Sequence, residues 1–253
     1  MAYFDSDGVQ IYFEEHGGGE PVVLVHGFAS RAEHNWGATN WFTTLAPHYR
    51  VVALDCRGHG KSGKPHDAAA YGRDTMANDV IRLMDHLGIK RTLIMGYSMG
   101  GRIVTGLLMS HPARLRAAVL GGIGAVSATA PSFSRKPIVD ALRAENISEV
   151  TDQRAKEFRR FAESTGNDLK ALAACMGAAR DDFTAEHIAA KKIRVPVMIA
   201  IGTKDVLVGN PTLLRDSIAG SKLVMLEGRD HLSAPGDQHY KDAVLEFFKS
   251  APA

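Results

Sequence analysis

The chain has 253 residues, 45% of them hydrophobic and 23% charged, with a formal net charge of +2. This length fits one large α/β domain or two small ones, with a substantial buried core. The near-neutral balance, free of any block of like charges, excludes nucleic acid and anionic membrane as expected partners.

The first residues, MAYFDSDGVQIYFEEHG, carry early acids and no charged-then-apolar signal pattern. No apolar run approaches the roughly 20 residues needed to span a bilayer. Two cysteines, Cys56 and Cys175, are too few for a disulfide scaffold and have no metal-ligand spacing. Both read as small buried hydrophobes, and a cytoplasmic protein is the expectation.

Residues 9–14 alternate as a strand, Gly17-Gly18-Gly19 makes a turn, and 21–25 form an apolar strand closed by His26-Gly27-Phe28. A long loop, 29–41, carries both tryptophans, Trp36 and Trp41. Trp36 is a candidate for packing under the loop and for lining a substrate pocket. Strand 50–54 ends in Asp55-Cys56-Arg57-Gly58-His59-Gly60-Lys61-Ser62. Residues 71–87 place Met76, Val80, Leu83, Met84 and Leu87 at helical spacing. Further strands are predicted at 91–95 and 115–120, with a helix over 102–111 between them. Short β-rich runs alternating with helices predict a mostly parallel, doubly wound α/β sheet.

Between 121 and 194 the alternation stops. Segments 134–146, 150–164, 168–176 and 184–190 read as short helices, with no obvious strand. Phe133, Phe158, Phe161 and Met176 are candidates first for the core of this helical segment and second for substrate contact. The α/β pattern resumes with strand 196–201, a helix near 211–219, strand 222–226 and a final helix over 237–249. There are no internal repeats.

The most informative stretch is Gly96-Tyr97-Ser98-Met99-Gly100-Gly101, between a strand and a helix. Gly-x-Ser-x-Gly in that setting describes a nucleophile elbow, which lifts a serine hydroxyl clear of the sheet edge. The glycines are required because larger side chains two residues either side of the serine would collide with helix or strand. Two nucleotide-binding readings fail. A phosphate-binding loop ending in Gly60-Lys61-Ser62 requires glycine at position 55, where Asp55 stands, and the elbow lacks the second glycine of Gly-x-Gly-x-x-Gly.

With His26-Gly27-Phe28, the Asp55–Ser62 motif, Gly202-Thr203-Lys204-Asp205 and Asp230-His231 in this order, the chain resembles the α/β-hydrolase fold superfamily. The likeness spans nearly the whole chain except about 126–192. The resemblance implies a core formed by 1–125 and 193–253, with 126–192 as a helical cap over the active site.

Acyl transfer by serine needs a base, a group that orients the base, and donors for the oxyanion. The resemblance puts the base at His231, after the last strand, in preference to the other histidines; His239 falls inside the final helix. Asp205, after strand 196–201, is the orienting acid, and 121–130 offers no carboxylate as a rival. Asp230, adjacent to the base, is poorly placed to meet its ring. The oxyanion hole implied by the family uses the backbone N–H groups of Met99 and Phe28. Tyr97 is a candidate substrate contact or local packing residue, and His26, His59, Asp55 and Arg57 are expected to hold loop geometry.

Serine at position 98 sets aside the haloalkane dehalogenase and epoxide hydrolase relatives, whose resemblance would call for aspartate. The expected activity is that of a serine hydrolase acting on a small-molecule carboxylic ester, without metal or organic cofactor. The elbow is also similar to that of cofactor-free perhydrolases of the haloperoxidase type. Carbon–carbon hydrolases usually show a Gly-rich oxyanion loop where this chain has Phe28-Ala29-Ser30-Arg31. A non-catalytic ligand-binding protein is the remaining alternative. Oligomeric state is left open by the sequence.

Overall fold

The computed structural model describes residues 2–130, 134–178 and 184–252. Eight strands form one sheet: β1 (Ala2–Ser6), β2 (Val9–His16), β3 (Pro21–Val25), β4 (Arg50–Leu54), β5 (Thr92–Tyr97), β6 (Leu115–Gly121), β7 (Val197–Gly202) and β8 (Lys222–Leu226). Their order is β1-β2-β4-β3-β5-β6-β7-β8. The β1–β2 and β2–β4 pairs are antiparallel, and every other pair is parallel.

β1 is absent from the sequence reading. Ser6 pairs with Val9 across Asp7-Gly8, and both turn residues have positive φ (59° and 77°). That is the two-residue hairpin turn for which Asp-Gly is suited.

The central strands are buried on both faces, which is why they read as continuous apolar runs rather than as alternating ones. One face, including Val23 and Val25, packs on α2 (Arg73–His86) and α3 (Met99–Ser110). The other, including Val22 and Leu24, packs on α1 (Trp41–Leu45) and α9 (Gln238–Lys249). The doubly wound sheet predicted from the alternation is therefore present.

The helices α4 (Lys136–Arg143), α5 (Gln153–Ser164), α6 (Leu169–Gly177) and α7 (Ala185–Ala190) follow β6, and α8 (Pro211–Asp216) follows β7. Ile138, Val139, Leu142, Ala155 and Leu172 make a small apolar cluster of their own, joined by Ala29 of the loop after β3. Ala174 and Cys175 on the other side of α6 join the core under α2 and α3. The helical layer is thus anchored on the sheet domain at one end. Met176 packs against the layer's own cluster; Phe133 lies outside the described residues.

The loop after β4 is braced by charge. Asp55 accepts the backbone N–H groups of Ala32 and Lys61, both at 2.7 Å. Arg57 makes a two-pronged contact with Asp79 at 2.7 and 2.6 Å, with both side chains buried.

Candidate active site

β5 ends at Tyr97 and α3 begins at Met99, leaving Ser98 alone at the turn with φ 53° and ψ −110°. This backbone conformation is strained for a residue with a side chain. It survives because the chain crosses itself closely here. A Cβ on Gly96 would stand 2.3 Å from the Gly100 carbonyl oxygen, and one on Gly100 would stand 1.9 Å from that of Val25. The Ser98 N–H is tied to the Gly121 carbonyl at 2.8 Å.

Two loops from the same carboxyl edge of the sheet, after β7 and β8, reach this serine. His231, after β8, places Nε2 2.9 Å from Ser98 Oγ, and its Nδ1 lies 2.7 Å from Asp205 Oδ2, after β7. The carboxylate can only accept, so Nδ1 carries the proton, and the Nε2 lone pair then faces the serine hydroxyl. The Asp205 side chain is fully buried, and its Oδ1 accepts the Leu207 N–H at 3.0 Å. The two loops are stitched together by the Lys204 N–H on the Arg229 carbonyl at 2.9 Å. Tyr97 donates its hydroxyl to the His231 carbonyl at 2.6 Å. Burial pushes the Tyr97 hydroxyl pKa well up, so it stays a protonated donor.

Asp230 turns away from the histidine. Its carboxylate accepts the Ser233 hydroxyl at 2.6 Å and the N–H groups of Leu232 and Ser233, and the Ser233 hydroxyl first among these holds its pKa below the ordinary value. His239 is exposed on α9.

The loop after β3 supplies the opposite wall. Cys56 N–H donates to His26 Nε2 at 2.9 Å, which puts the ring proton on Nδ1, and Nδ1–H donates to the Gly27 carbonyl at 2.7 Å. The Gly27 N–H donates to Asn35 Oδ1 at 2.8 Å. In a trans peptide the Phe28 N–H points opposite to the Gly27 carbonyl. Neither the Phe28 nor the Met99 N–H meets a protein acceptor among the described residues. Gly27, Phe28 and Ser98 border the same cavity.

That cavity measures about 450 Å³. Its apolar walls include Phe28, Phe158, Phe161, Leu207, Leu232 and Pro235, and Arg154 and Glu157 of α5 add polar groups. Phe158 and Phe161 therefore face the cavity while also packing on the helical layer's cluster. Asn35, Leu207 and Leu232 also line the cavity, and none belongs to a sequence motif. Leu207 and Leu232 had only one signal, their nearness to Asp205 and His231.

Of the two roles the sequence offers Trp36, packing under the loop is the one observed: its side chain is fully enclosed, edge-on to Trp41 at 6.2 Å, and it does not line the cavity, which corrects its reading as a substrate contact. The helical turn Glu33–Gly37 presents Asn35 to the cavity and sends Trp36 beneath the loop. Tyr97 does border the cavity, with its hydroxyl committed to the His231 backbone. Among the described residues no cluster of three or more histidine, cysteine or carboxylate side chains could hold a metal ion.

The family described as alpha/beta hydrolase fold matches residues 20–143. Similar curated proteins include a putative 2-succinyl-6-hydroxy-2,4-cyclohexadiene-1-carboxylate synthase of Bacillus subtilis (strain 168). It is 32% identical over 117 residues, covering 46% of this chain and 41% of that protein. A putative non-heme chloroperoxidase of Synechocystis sp. is 37% identical over 117 residues, with the same coverage of 46% and 41%. The chain spans about two fifths of the length of these curated relatives. Among solved structures, a hydrolase from Pseudomonas aeruginosa PA01 superimposes with a TM-score of 0.83 at 25% identity over 98% of each chain. The enol-lactonase from Burkholderia xenovorans LB400 gives 0.80 at 22% identity, covering 98% of this chain and 100% of that one, a likeness of fold.

Proposed function

The chain belongs to the α/β-hydrolase fold superfamily, and we propose that within it the protein is a serine hydrolase that cleaves small carboxylic esters through an acyl-enzyme on Ser98. The observation that carries this reading is the unbroken chain of hydrogen bonds, Ser98 Oγ to His231 Nε2 at 2.9 Å and His231 Nδ1 to Asp205 Oδ2 at 2.7 Å.

A serine hydroxyl is a weak nucleophile at neutral pH until a base takes its proton. In the proposed reaction Ser98 Oγ attacks the ester carbonyl carbon while His231 Nε2 accepts the hydroxyl proton. The buried Asp205 carboxylate stabilises the resulting imidazolium and keeps the ring in the required tautomer. The carbonyl oxygen, now negative, sits against the N–H groups of Phe28 and Met99. One such donor contributes about 3–4 kcal/mol to the transition state. The α3 N-terminus adds its dipole. Collapse of the tetrahedral intermediate passes the proton from His231 to the departing alcohol. Water, deprotonated by the same histidine, then releases the carboxylic acid.

No cofactor takes part in this chemistry. In this reading residues 126–192 are a cap whose α5 closes over the acyl site, and 1–125 with 193–253 form the catalytic core. The similarity to a putative non-heme chloroperoxidase favours one second reading. Hydrogen peroxide replaces water in the deacylation step, and the product is a peracid.

Hydrolysis of p-nitrophenyl esters from acetate to decanoate, with Ser98→Ala alongside, tests the proposal. Turnover that vanishes in the variant is expected. Activity retained by Ser98→Ala would overturn it, and peracid formation on adding peroxide would favour the second reading.

A further inference from the structure

The loop that carries the Phe28 N–H is held against the helical layer chiefly at Ala29, with Arg31 adding a second contact. Ala29, next after Phe28, has φ 56° although it bears a Cβ, and it is fully enclosed. Such a conformation persists only where surrounding contacts dictate it. Here they come from the turn that ends α5. The Ala29 carbonyl accepts the Thr165 hydroxyl at 2.7 Å and the Asn167 Nδ2–H at 2.8 Å. The second Asn167 amide proton goes to Thr165 Oγ1 at 2.9 Å, which closes a triangle of three buried groups. Asn167 Oδ1 accepts the Gly60 N–H at 3.0 Å, and Arg31 Nη1 donates to the Thr165 carbonyl at 2.7 Å. One short segment, Thr165-Gly166-Asn167, thus grips the loops after β3 and β4 together. The same helix, one and two turns earlier, presents Phe161 and Phe158 to the cavity.

We infer that Thr165 and Asn167 are positioning residues for the oxyanion donor at Phe28, so that the seat of α5 sets the rate of the chemical step as well as the shape of the pocket. This rests on the proposed reading that an oxyanion is received by Phe28 and Met99. Without the two bonds to its carbonyl, Ala29 is free to relax toward negative φ. That rotation turns the chain at the residue adjoining Phe28 and takes its N–H off the line to the substrate oxygen. Misplacement of a catalytic donor by about 1 Å reduces rate by about 100-fold.

The test uses Thr165→Val, which keeps the side-chain shape and deletes the donor, Asn167→Ala, which deletes all three side-chain hydrogen bonds of Asn167, to Ala29, Thr165 and Gly60, and Thr165→Ser as the rescue. Steady-state constants are measured on the preferred p-nitrophenyl ester, with the affinity of an alkyl boronic acid, whose serine adduct places an oxygen in the oxyanion site. The expected result for Thr165→Val and Asn167→Ala is a kcat about 10- to 100-fold lower with KM within about threefold. Boronate affinity should fall in parallel, and Thr165→Ser should return kcat toward the parent value. Unchanged kcat in both variants, or a rise in KM alone, would overturn the inference. If the parent turns over no ester, or Ser98→Ala still does, the reading beneath it fails and the inference falls with it.

Discussion

Tyr97 and His231 are joined by a 2.6 Å hydrogen bond from the phenol to the histidine's own carbonyl, and their rings lie 5.3 Å apart. The residue before Ser98 therefore holds the backbone of the residue that faces it. The elbow and the loop that carries the base are thus tied directly to one another.

Replacing Tyr97 by Phe keeps the ring and removes that bond. A lost hydrogen bond that leaves a buried partner unsatisfied costs about 1–3 kcal/mol. The Tyr97→Phe variant is expected to fold, to melt a few degrees lower, and to lose about tenfold in kcat. Calorimetry and ester kinetics read the two effects, and an unaltered kcat would show that the loop holds its place without the phenol.

Asp205→Asn preserves shape while changing what faces His231 Nδ1. An amide can offer an N–H there and draw the ring into the tautomer whose Nε2 carries the proton. Turnover is expected to fall by about 10⁴ with the melting temperature little changed. Near-normal rates would place the orienting acid elsewhere.

Phe158 and Phe161 line the cavity beside Ser98, and in the proposed reading they bound the acyl chain. Truncating Phe158 to Ala lengthens the cavity, and the optimum in a p-nitrophenyl ester series is expected to shift by about two or more carbons. A fixed optimum would assign chain-length selection to the Leu207 and Leu232 side.

His26 gives a pH prediction. Burial first, partly offset by the Asp55 carboxylate, holds its pKa below the ordinary 6.5, consistent with an Nε2 that must stay unprotonated to accept the Cys56 N–H. Its pKa is higher in the unfolded chain, so between the two values the unfolded state binds more protons and stability rises with pH. The contribution is complete above about pH 6.5 and declines as pH falls toward the folded value. Urea unfolding at pH 8 and pH 5.5 should show this loss, and His26→Asn should lessen it. Identical pH dependence in both proteins would contradict the assignment.

Much of this fold was legible because parallel strands covered on both faces must be apolar throughout. The runs Pro21–Val25, Arg50–Leu54 and Lys222–Leu226 coincide with strands end to end. Ala2–Ser6 is less legible, because it is a short edge strand whose odd positions face outward and only its Asp7-Gly8 turn marks it. Ser98, Asp205 and His231 were legible because each follows a strand at the same edge of the sheet. The pocket was less so. Trp36 and Asn35 are neighbours on one turn, and only the turn's geometry decides which faces the cavity. Phe158 and Phe161 satisfy a core pattern and a pocket wall at once, so periodicity cannot separate the roles.

The acyl-enzyme on Ser98 can be tested most directly by trapping it. The protein is mixed with its best p-nitrophenyl ester, quenched in acid within the first turnover, and digested for mass spectrometry. The expected result is the mass of one acyl group on the peptide containing Ser98, together with a burst of p-nitrophenol, and neither in Ser98→Ala. An acyl group on another residue, or ester turnover unimpaired in Ser98→Ala, would contradict it.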